Sequence, residues 1–228
     1  MSKTSKLSQL PLSKHWLPIT IVSVLLTVVS GLVGSISWVR HAEFGFDQTL
    51  NANGNAFLDA IAVFASELYS PKWGIILTLA IAVAIWLFRK SRFEAITFGM
   101  IVAAGWLPAE VFKLAFNEPR PNQNLLSHLL VPREVDAAFP SGHLCFAIAI
   151  GYGLWLLAQQ TRASRPVLVL WFISIALMGW ARLYVGVHYF NDLIGSVFCT
   201  IIGLTLFAAV WNRWLSNLLA KSRFFTER

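Results

Sequence analysis

Long apolar runs separated by short polar segments dominate the chain and predict membrane-spanning helices. A helix needs about 20 apolar residues to cross the roughly 30 Å hydrocarbon core of a bilayer. Six runs approach this length, and the shorter ones reach it if flanking residues continue the helix: residues 16–38, 73–88, 95–112, 144–158, 167–181 and 193–211. The sequence therefore predicts an all-α bundle of six transmembrane helices, forming a single domain over residues 1–228.

The segment at residues 55–70 has a different pattern and predicts a short helix that does not cross the membrane. Its apolar side chains recur at helical spacing, while Asn55, Asp59, Ser66 and Ser70 lie elsewhere around the helix. Such an amphipathic helix between the first two spans is typical of a segment that lies along the membrane surface. An ordinary loop helix packed against the bundle is the alternative that the pattern leaves open.

The composition agrees with lipid as the surrounding solvent. Of the 228 residues, 57% are hydrophobic, 13% are charged and ten are Trp, and the mean hydropathy is +0.64. A soluble domain of this length needs a larger charged fraction to cover its surface, and Trp collects at membrane interfaces. Cys145 and Cys199 each lie in an apolar run without metal-ligand spacing, so we expect buried free thiols.

The net charge of +7 is distributed unevenly, which indicates membrane topology rather than a nucleic-acid footprint. With six spans, the two termini and the loops at residues 89–94 and 159–166 share one side. Of the 18 basic residues, 12 lie on that side: Lys3, Lys6, Lys14, Arg89, Lys90, Arg92, Arg162, Arg165, Arg213, Lys221, Arg223 and Arg228. Of the 11 acidic residues, only Glu94 and Glu227 join them. The positive-inside rule therefore predicts cytoplasmic termini.

Three clusters of polar residues lie on the predicted outer side, near the ends of spans. They are Lys113 with Arg120 and Pro121, then Pro140-Ser141-Gly142-His143, and then Arg182 with His188 and Asp192. Ionisable residues at such positions are costly unless they are paired or functional. A lone arginine there usually extends to the headgroups, and a lone histidine is usually structural. Three clusters with fixed internal spacing on one side indicate a shared site instead.

The residue types in these clusters suit a phosphate group. Arg120 and Arg182 offer planar, permanently charged forks, and Lys113 adds a point charge. Ser141 and Gly142 open the predicted fourth helix, where unpaired N–H groups and the helix dipole attract an anion. Gly142 also lets the backbone approach the phosphate oxygens closely. We therefore expect these five residues to bind phosphate.

The two histidines carry the predicted chemistry. On a helix, His188 and Asp192 lie one turn apart, so Asp192 can accept a hydrogen bond from one imidazole nitrogen and fix the tautomer. The other nitrogen of His188 is then the predicted nucleophile. His143, beside the bound phosphate, is the predicted general acid for the leaving group.

Together, the clusters resemble the three-part signature of the type 2 phosphatidic acid phosphatase family, which is related to acid phosphatases and vanadium haloperoxidases. The second motif matches in full at residues 140–143, and the signature region spans residues 113–192. One position departs from the family pattern, because Ala181 stands where a serine usually precedes the arginine. The resemblance implies a six-helix bundle, a phosphohistidine intermediate on His188, hydrolysis by water, and no metal or cofactor.

The predicted function is that of an integral membrane lipid phosphatase with its site on the outer face of the cell membrane. The short loops are similar to those of bacterial family members, whose substrates include undecaprenyl diphosphate, phosphatidylglycerophosphate and phosphatidic acid. An outward-facing site favours undecaprenyl diphosphate among these. The lipid substrate and membrane lipids are the expected partners. Because the lipid must enter laterally, we expect a gap between spans to lead to His188, with residues 55–70 at its edge.

Two alternatives remain open from the sequence. A phosphohistidine can transfer its phosphoryl group to an acceptor other than water, and the motifs do not describe the acceptor pocket. The same scaffold can also serve a non-catalytic protein that binds or transports lipid phosphates. The presence of His143, His188 and Asp192 argues against this second alternative, because a degenerate site is expected to lose at least one of them.

Overall fold

A computed structural model of the chain describes residues 7–159, 161–216 and 218, and the regular secondary structure of this part is helical. It contains eight α-helices and no strand: α1 (Trp16–Gly34), α2 (Ser37–Ala52), α3 (Ala56–Leu68), α4 (Pro71–Arg89), α5 (Arg92–Phe116), α6 (Gly142–Ala158), α7 (Ser164–Tyr184) and α8 (Phe190–Val210). A single π turn, Trp211–Leu215, follows α8. The predicted all-α class is therefore confirmed.

Five helices are long and apolar enough to cross a membrane, by length and composition: α1, α4, α5, α7 and the continuous stretch Phe190–Leu215. The remaining predicted span, α6, has 17 residues. At about 1.5 Å per residue it is roughly 26 Å long, which is shorter than a typical hydrocarbon core. The six-span count stays a prediction. So does the orientation of the termini, because Lys3, Lys6, Lys221, Arg223, Glu227 and Arg228 lie outside the described residues.

The first span is shorter than predicted, and the sequence pattern missed the helix after it. The helix α1 ends at Gly34, and Ile36 adopts an extended backbone before α2 begins at Ser37. Trp38, which the apolar run assigns to the first span, therefore belongs to α2. The side chain of Arg40 stabilises this corner, because its Nε donates a hydrogen bond to the carbonyl oxygen of Gly34 over 3.0 Å.

The face of α1 that packs against α8 has small and mostly polar side chains, and its outer face is apolar, as expected for a helix surrounded by lipid. The buried residues of α1 are small and mostly polar, whereas its large apolar side chains are exposed. Thr20 and Thr205 share a hydrogen bond of 2.8 Å, and the Ser30 hydroxyl donates to the carbonyl oxygen of Asn191 over 3.0 Å. Small residues and hydrogen bonds hold helices together where the surroundings are as apolar as leucine. The chain is thus an integral membrane protein.

The predicted helix at residues 55–70 is present as α3, with Asn55 as its N-cap. The Asn55 side chain accepts hydrogen bonds from the N–H groups of Phe57 and Leu58, each over 3.1 Å. One face of α3 packs against α7, while Phe57 and Phe64 are 72% and 66% exposed. This exposed aromatic face agrees with a helix that lies at the membrane surface.

The short helix α6 lies at the centre of the bundle, where it contacts α4, α5, α7 and α8. Most of its residues are buried, which matches its apolar sequence on every side. Its first turn points into the loop that joins α5 to α6, at residues 117–141. The ends of α5 and α7 and the beginnings of α6 and α8 therefore meet around this loop.

Candidate functional site

The structure brings all three sequence clusters together at this end of the bundle. Lys113 lies in the last turn of α5 and Arg182 in the last turn of α7, while His143 is the second residue of α6. Arg120 lies in the loop after α5, and His188 lies between α7 and α8. Four of these side chains are almost completely buried, and Lys113 is 11% exposed.

The pair formed by His188 and Asp192 has the predicted contact, but not the predicted helical setting. His188 Nδ1 lies 3.0 Å from Asp192 Oδ2, and both side chains are fully buried. His188 precedes α8, whose first residue is Phe190, because the chain reverses at Gly186 with φ +63°. Asp192 reaches back from the first turn of α8, and its Oδ2 also accepts a hydrogen bond from the N–H of Tyr189 over 2.9 Å. One carboxylate therefore caps the helix and orients the imidazole.

The second nitrogen of His188 faces the positive charges. Arg120 Nη1 lies 3.1 Å from His188 Nε2 and donates to the carbonyl oxygen of Val187 over 2.9 Å. Burial, followed by the charges of Arg120 and Arg182, lowers the pKa of His188 well below its ordinary value. The imidazole is therefore neutral at physiological pH, with Nδ1–H directed to Asp192 and a lone pair on Nε2.

The beginning of α6 forms a further wall of the site. Ser141 is the N-cap residue, and its fully buried hydroxyl has no hydrogen-bond partner within the described part of the chain. The N–H of Ser141 is already used, since it donates to Ser196 Oγ over 2.8 Å. Ser196 also contacts the carbonyl oxygens of Ser141 and Asp192, so it connects this turn to α8. No sequence motif marks Ser196, which lies one turn after Asp192 on the same helix.

Two acidic residues that the sequence analysis also missed occupy the cluster of cations. Glu134 Oε2 lies 2.7 Å from Arg120 Nη2, and Glu134 Oε1 pairs with Arg182. Asp136 pairs with Lys113, and its Oδ1 lies 2.8 Å from Arg120 Nη2. These carboxylates form ion pairs with the cations that would bind a phosphate group, so they occupy the place of the phosphate oxygens. In the sequence, both residues lie between the first two clusters, but they have no fixed spacing from either cluster that would have predicted their role.

The pKa of Asp136 shows that the cations around it stabilise negative charge. Burial alone would raise the pKa of this carboxyl group. The hydrogen bonds and charges of Lys113 and Arg120 outweigh burial, and the pKa of Asp136 lies below its ordinary value. The cluster therefore favours negatively charged oxygens.

One group of side chains has the spacing of a metal site. Glu134, His143 and His188 each offer one ligand atom, and these atoms lie within 4.8 Å of one another. Arg120 and Arg182 contact Glu134, and Arg120 contacts His188, so a cation placed there would meet two guanidinium groups. The surroundings favour an anion at this position, and the expected absence of a metal stays a prediction.

The arrangement has the parts needed for phosphoryl transfer. A neutral imidazole with a fixed tautomer faces two arginines, and the second histidine lies within 4.8 Å of it. Arginine forks stabilise the charge that develops on phosphoryl oxygens. Ala181, at the position where the related family usually has serine, is fully buried in an apolar cluster. It contributes no polar group to the site.

Comparison with known proteins identifies the family. The model of the PAP2 superfamily matches residues 93–215, which include every residue of the three clusters. The chain therefore belongs to the PAP2 superfamily, as its motifs predicted.

Similar proteins and a similar solved structure identify the class of enzyme within this superfamily. The chain is 33% identical over 156 residues to "Undecaprenyl-diphosphatase BcrC" of Bacillus subtilis (strain 168), covering 67% of this chain and 75% of that protein. It is 25% identical over 187 residues to an "Undecaprenyl-diphosphatase" of Sulfolobus acidocaldarius, covering 80% of this chain and 84% of that protein. A crystal structure of a transmembrane PAP2-type phosphatidylglycerolphosphate phosphatase from Bacillus subtilis shares the fold, with a TM-score of 0.70, 18% identity, and coverage of 90% and 98%. The protein is thus a membrane lipid phosphatase.

Proposed function

We propose that this phosphatase hydrolyses undecaprenyl diphosphate to the monophosphate on the outer face of the membrane. The observation that carries the reaction is the position of His188 Nε2, which faces Arg120 while Asp192 holds the opposite nitrogen. The choice of lipid is supported by two relatives named as undecaprenyl-diphosphatases, of which one is 33% identical to this chain. The side of the membrane is supported by the charge distribution of the loops.

In the first step, His188 Nε2 attacks the terminal phosphorus. The N–P bond forms as the bond between phosphorus and the bridging oxygen breaks, and the electron pair stays on the bridging oxygen. Lys113, Arg120 and Arg182 bind the phosphoryl oxygens, together with the Ser141 hydroxyl and the backbone at Gly142. His143, protonated when the anionic substrate offsets the nearby cations, donates this proton to the departing lipid monophosphate, and Asp192 stabilises the His188 imidazole as its charge changes.

In the second step, water attacks the phosphorus of the phosphohistidine. The N–P bond breaks, inorganic phosphate forms, and His188 returns to its neutral state. His143, which is within 4.8 Å of His188, is placed to take the proton from this water. The substrate must displace Glu134 from the two arginines before either step begins.

The proposed access route runs from the lipid to this site beside α3. Ser66, Glu67 and Ser70 line a cavity together with His143 and Arg182. This lining supports the predicted position of residues 55–70 at the edge of the entrance. With its exposed aromatic face in the headgroup region, α3 would guide the lipid headgroup into this cavity.

A phosphate-release panel on the purified protein tests the proposed substrate. Undecaprenyl diphosphate, phosphatidylglycerophosphate and phosphatidic acid are compared at equal mole fraction in detergent micelles, with His188→Ala as the catalytic control. We expect the diphosphate to have the highest kcat/KM and His188→Ala to release no phosphate. Faster turnover of either other lipid would overturn the substrate assignment, and full activity of folded His188→Ala would overturn the mechanism. Analysis of the phosphate-containing products separates hydrolysis from transfer to another acceptor.

A further inference from the structure

The cavity beside His143 extends well beyond the residues that bind one phosphate. It has a volume of about 350 Å³ and runs from His143 and Arg182 to the turn between α3 and α4. A volume of this order accommodates a small ligand. None of the residues at its far end belongs to the three sequence motifs, so its ligand there is unassigned.

Two buried hydrogen-bond donors on the cavity wall have no acceptor within the described part of the chain. One is the indole Nε1–H of Trp106, on α5, and the other is the hydroxyl of Ser66, on α3. An indole nitrogen can donate but cannot accept, and a buried donor left unpaired is costly. Ser66 is 3% exposed, so bulk solvent does not satisfy it. Both groups can therefore donate hydrogen bonds to the acceptor oxygens of a ligand bound in the cavity.

The position of Trp106 places its N–H against the phosphate-binding turn. A Cβ atom added to Gly142 would lie 3.1 Å from Trp106 Nε1. The indole ring is held by stacking on Phe146, with 5.1 Å between ring centroids. Gly142 is the residue before His143, so a group bound at Trp106 adjoins the phosphate bound at His188.

The charges of the wall indicate which phosphate would bind here. The three cations of the site are grouped around His188, Glu134 and Asp136. Trp106 and Ser66, which line the cavity together with Glu67, Glu110 and Arg133, are instead neutral donors. In a lipid diphosphate, the phosphate joined to the chain is a diester with one negative charge, whereas a terminal phosphate carries about −1.5 to −2. Neutral donors suit the singly charged group, which they bind by hydrogen bonds rather than by net charge.

We infer that Trp106 and Ser66 form a second phosphate subsite, which holds the lipid-linked phosphate of a diphosphate while the terminal phosphate lies against His188. This inference rests on the proposed function. When the bond to the bridging oxygen breaks, the electron pair remains on the lipid-linked phosphate, which is the leaving group. Donors at this subsite therefore stabilise the charge that develops as that bond breaks.

Binding of two small probes to the purified full-length protein tests the subsite without relying on turnover. The methylenediphosphonate probe is its monomethyl ester, which has one esterified, singly charged phosphorus group and one terminal group, and its P–C–P bridge is not hydrolysed. Inorganic phosphate fills one group's position. Trp106→Phe keeps the stacked ring and removes the N–H. We expect it to weaken methylenediphosphonate binding about tenfold, which corresponds to roughly 1.4 kcal/mol, and to change phosphate binding less than about twofold. Ser66→Ala should show the same selectivity with a smaller loss.

The matched control is Trp171→Phe. The Nε1 of Trp171 is likewise buried without a partner in the described part of the chain, but this residue does not line the cavity. The control should bind both probes like the wild type. Equal weakening of both probes by Trp106→Phe, no weakening of either, or an equal loss in Trp171→Phe would overturn the subsite. If Trp106→Phe does not fold, Ser66→Ala decides. If the probes bind with the expected selectivity but the purified protein hydrolyses none of the three lipids, the proposed function is overturned and the subsite is not.

Discussion

Replacement of Glu134 by glutamine tests whether its carboxylate competes with phosphate for the two arginines. In the structure, one carboxylate oxygen lies 2.7 Å from Arg120 Nη2 and the other pairs with Arg182. The glutamine variant keeps the shape and the ability to accept hydrogen bonds, but it removes the negative charge. An incoming phosphate then displaces a neutral group.

The expected gain follows from the exposure of this ion pair. The Glu134 side chain is 25% exposed, so each of its two pairs is weaker than a fully buried one. At up to about 1 kcal/mol for each partly exposed pair, the two together contribute about 1–2 kcal/mol. This difference corresponds to roughly 5- to 30-fold tighter binding of phosphate.

The assay is the inhibition constant of inorganic phosphate in the lipid phosphatase reaction. It should fall in Glu134→Gln, while Glu67→Gln should be unchanged, because Glu67 lines the same cavity without pairing with either arginine in the described structure. An unchanged or higher inhibition constant in Glu134→Gln would refute the competition. In that case the carboxylate would serve to hold the arginines in place.

Three further predictions follow from the same geometry. Asp192→Asn should lower kcat by about 10³–10⁴-fold, because the amide favours the wrong imidazole tautomer, and a loss below tenfold would contradict this role. Because the pKa of His188 is well below its ordinary value in the free site, the imidazole NMR signals of His188 in the substrate-free protein should show no titration centred near pH 6.5, and such a titration would show that the nucleophile titrates normally. Burial and neighbouring acidic groups raise the pKa of Asp47 to about 9, so the native protein keeps a proton that the unfolded chain releases near pH 4. The free energy of unfolding therefore falls as the pH rises from about 4 to about 9, because the native protein binds a proton at Asp47 that the unfolded chain has lost. Asp47→Asn should raise the melting temperature more at pH 8 than at pH 5. Equal gains at both pH values would contradict the raised pKa of Asp47.

Sequence reasoning succeeded where residue type and spacing determine the chemistry. The apolar runs predicted the long helices, because lipid requires continuous apolar segments. The sequence predicted that Arg120, Arg182 and His188 share a site, because charged residues at span ends are costly unless they are paired or functional. The break between α1 and α2 was missed, since the apolar run continues to Trp38 although the helix ends at Gly34.

The rest of the site depends on contacts that no local pattern records. The four-residue spacing of His188 and Asp192 suggested a shared helix, but an aspartate in the first turn can reach back to a residue before the helix. Glu134 lies in a loop without periodicity, and its pairing with Arg182 joins residues that are 48 positions apart. Such long-range pairs follow from how the helices pack, and neither partner's sequence neighbourhood predicts them.

Trapping of the covalent intermediate tests the role of His188 most directly. The purified protein is mixed with undecaprenyl diphosphate labelled with ³²P in its terminal phosphate, quenched in alkali within milliseconds, and digested. We expect label on the peptide that contains His188, stable in base and lost in acid, and none in His188→Ala that elutes as a folded protein. Phosphate release without any trapped label, or label that persists in His188→Ala, would contradict the phosphohistidine mechanism.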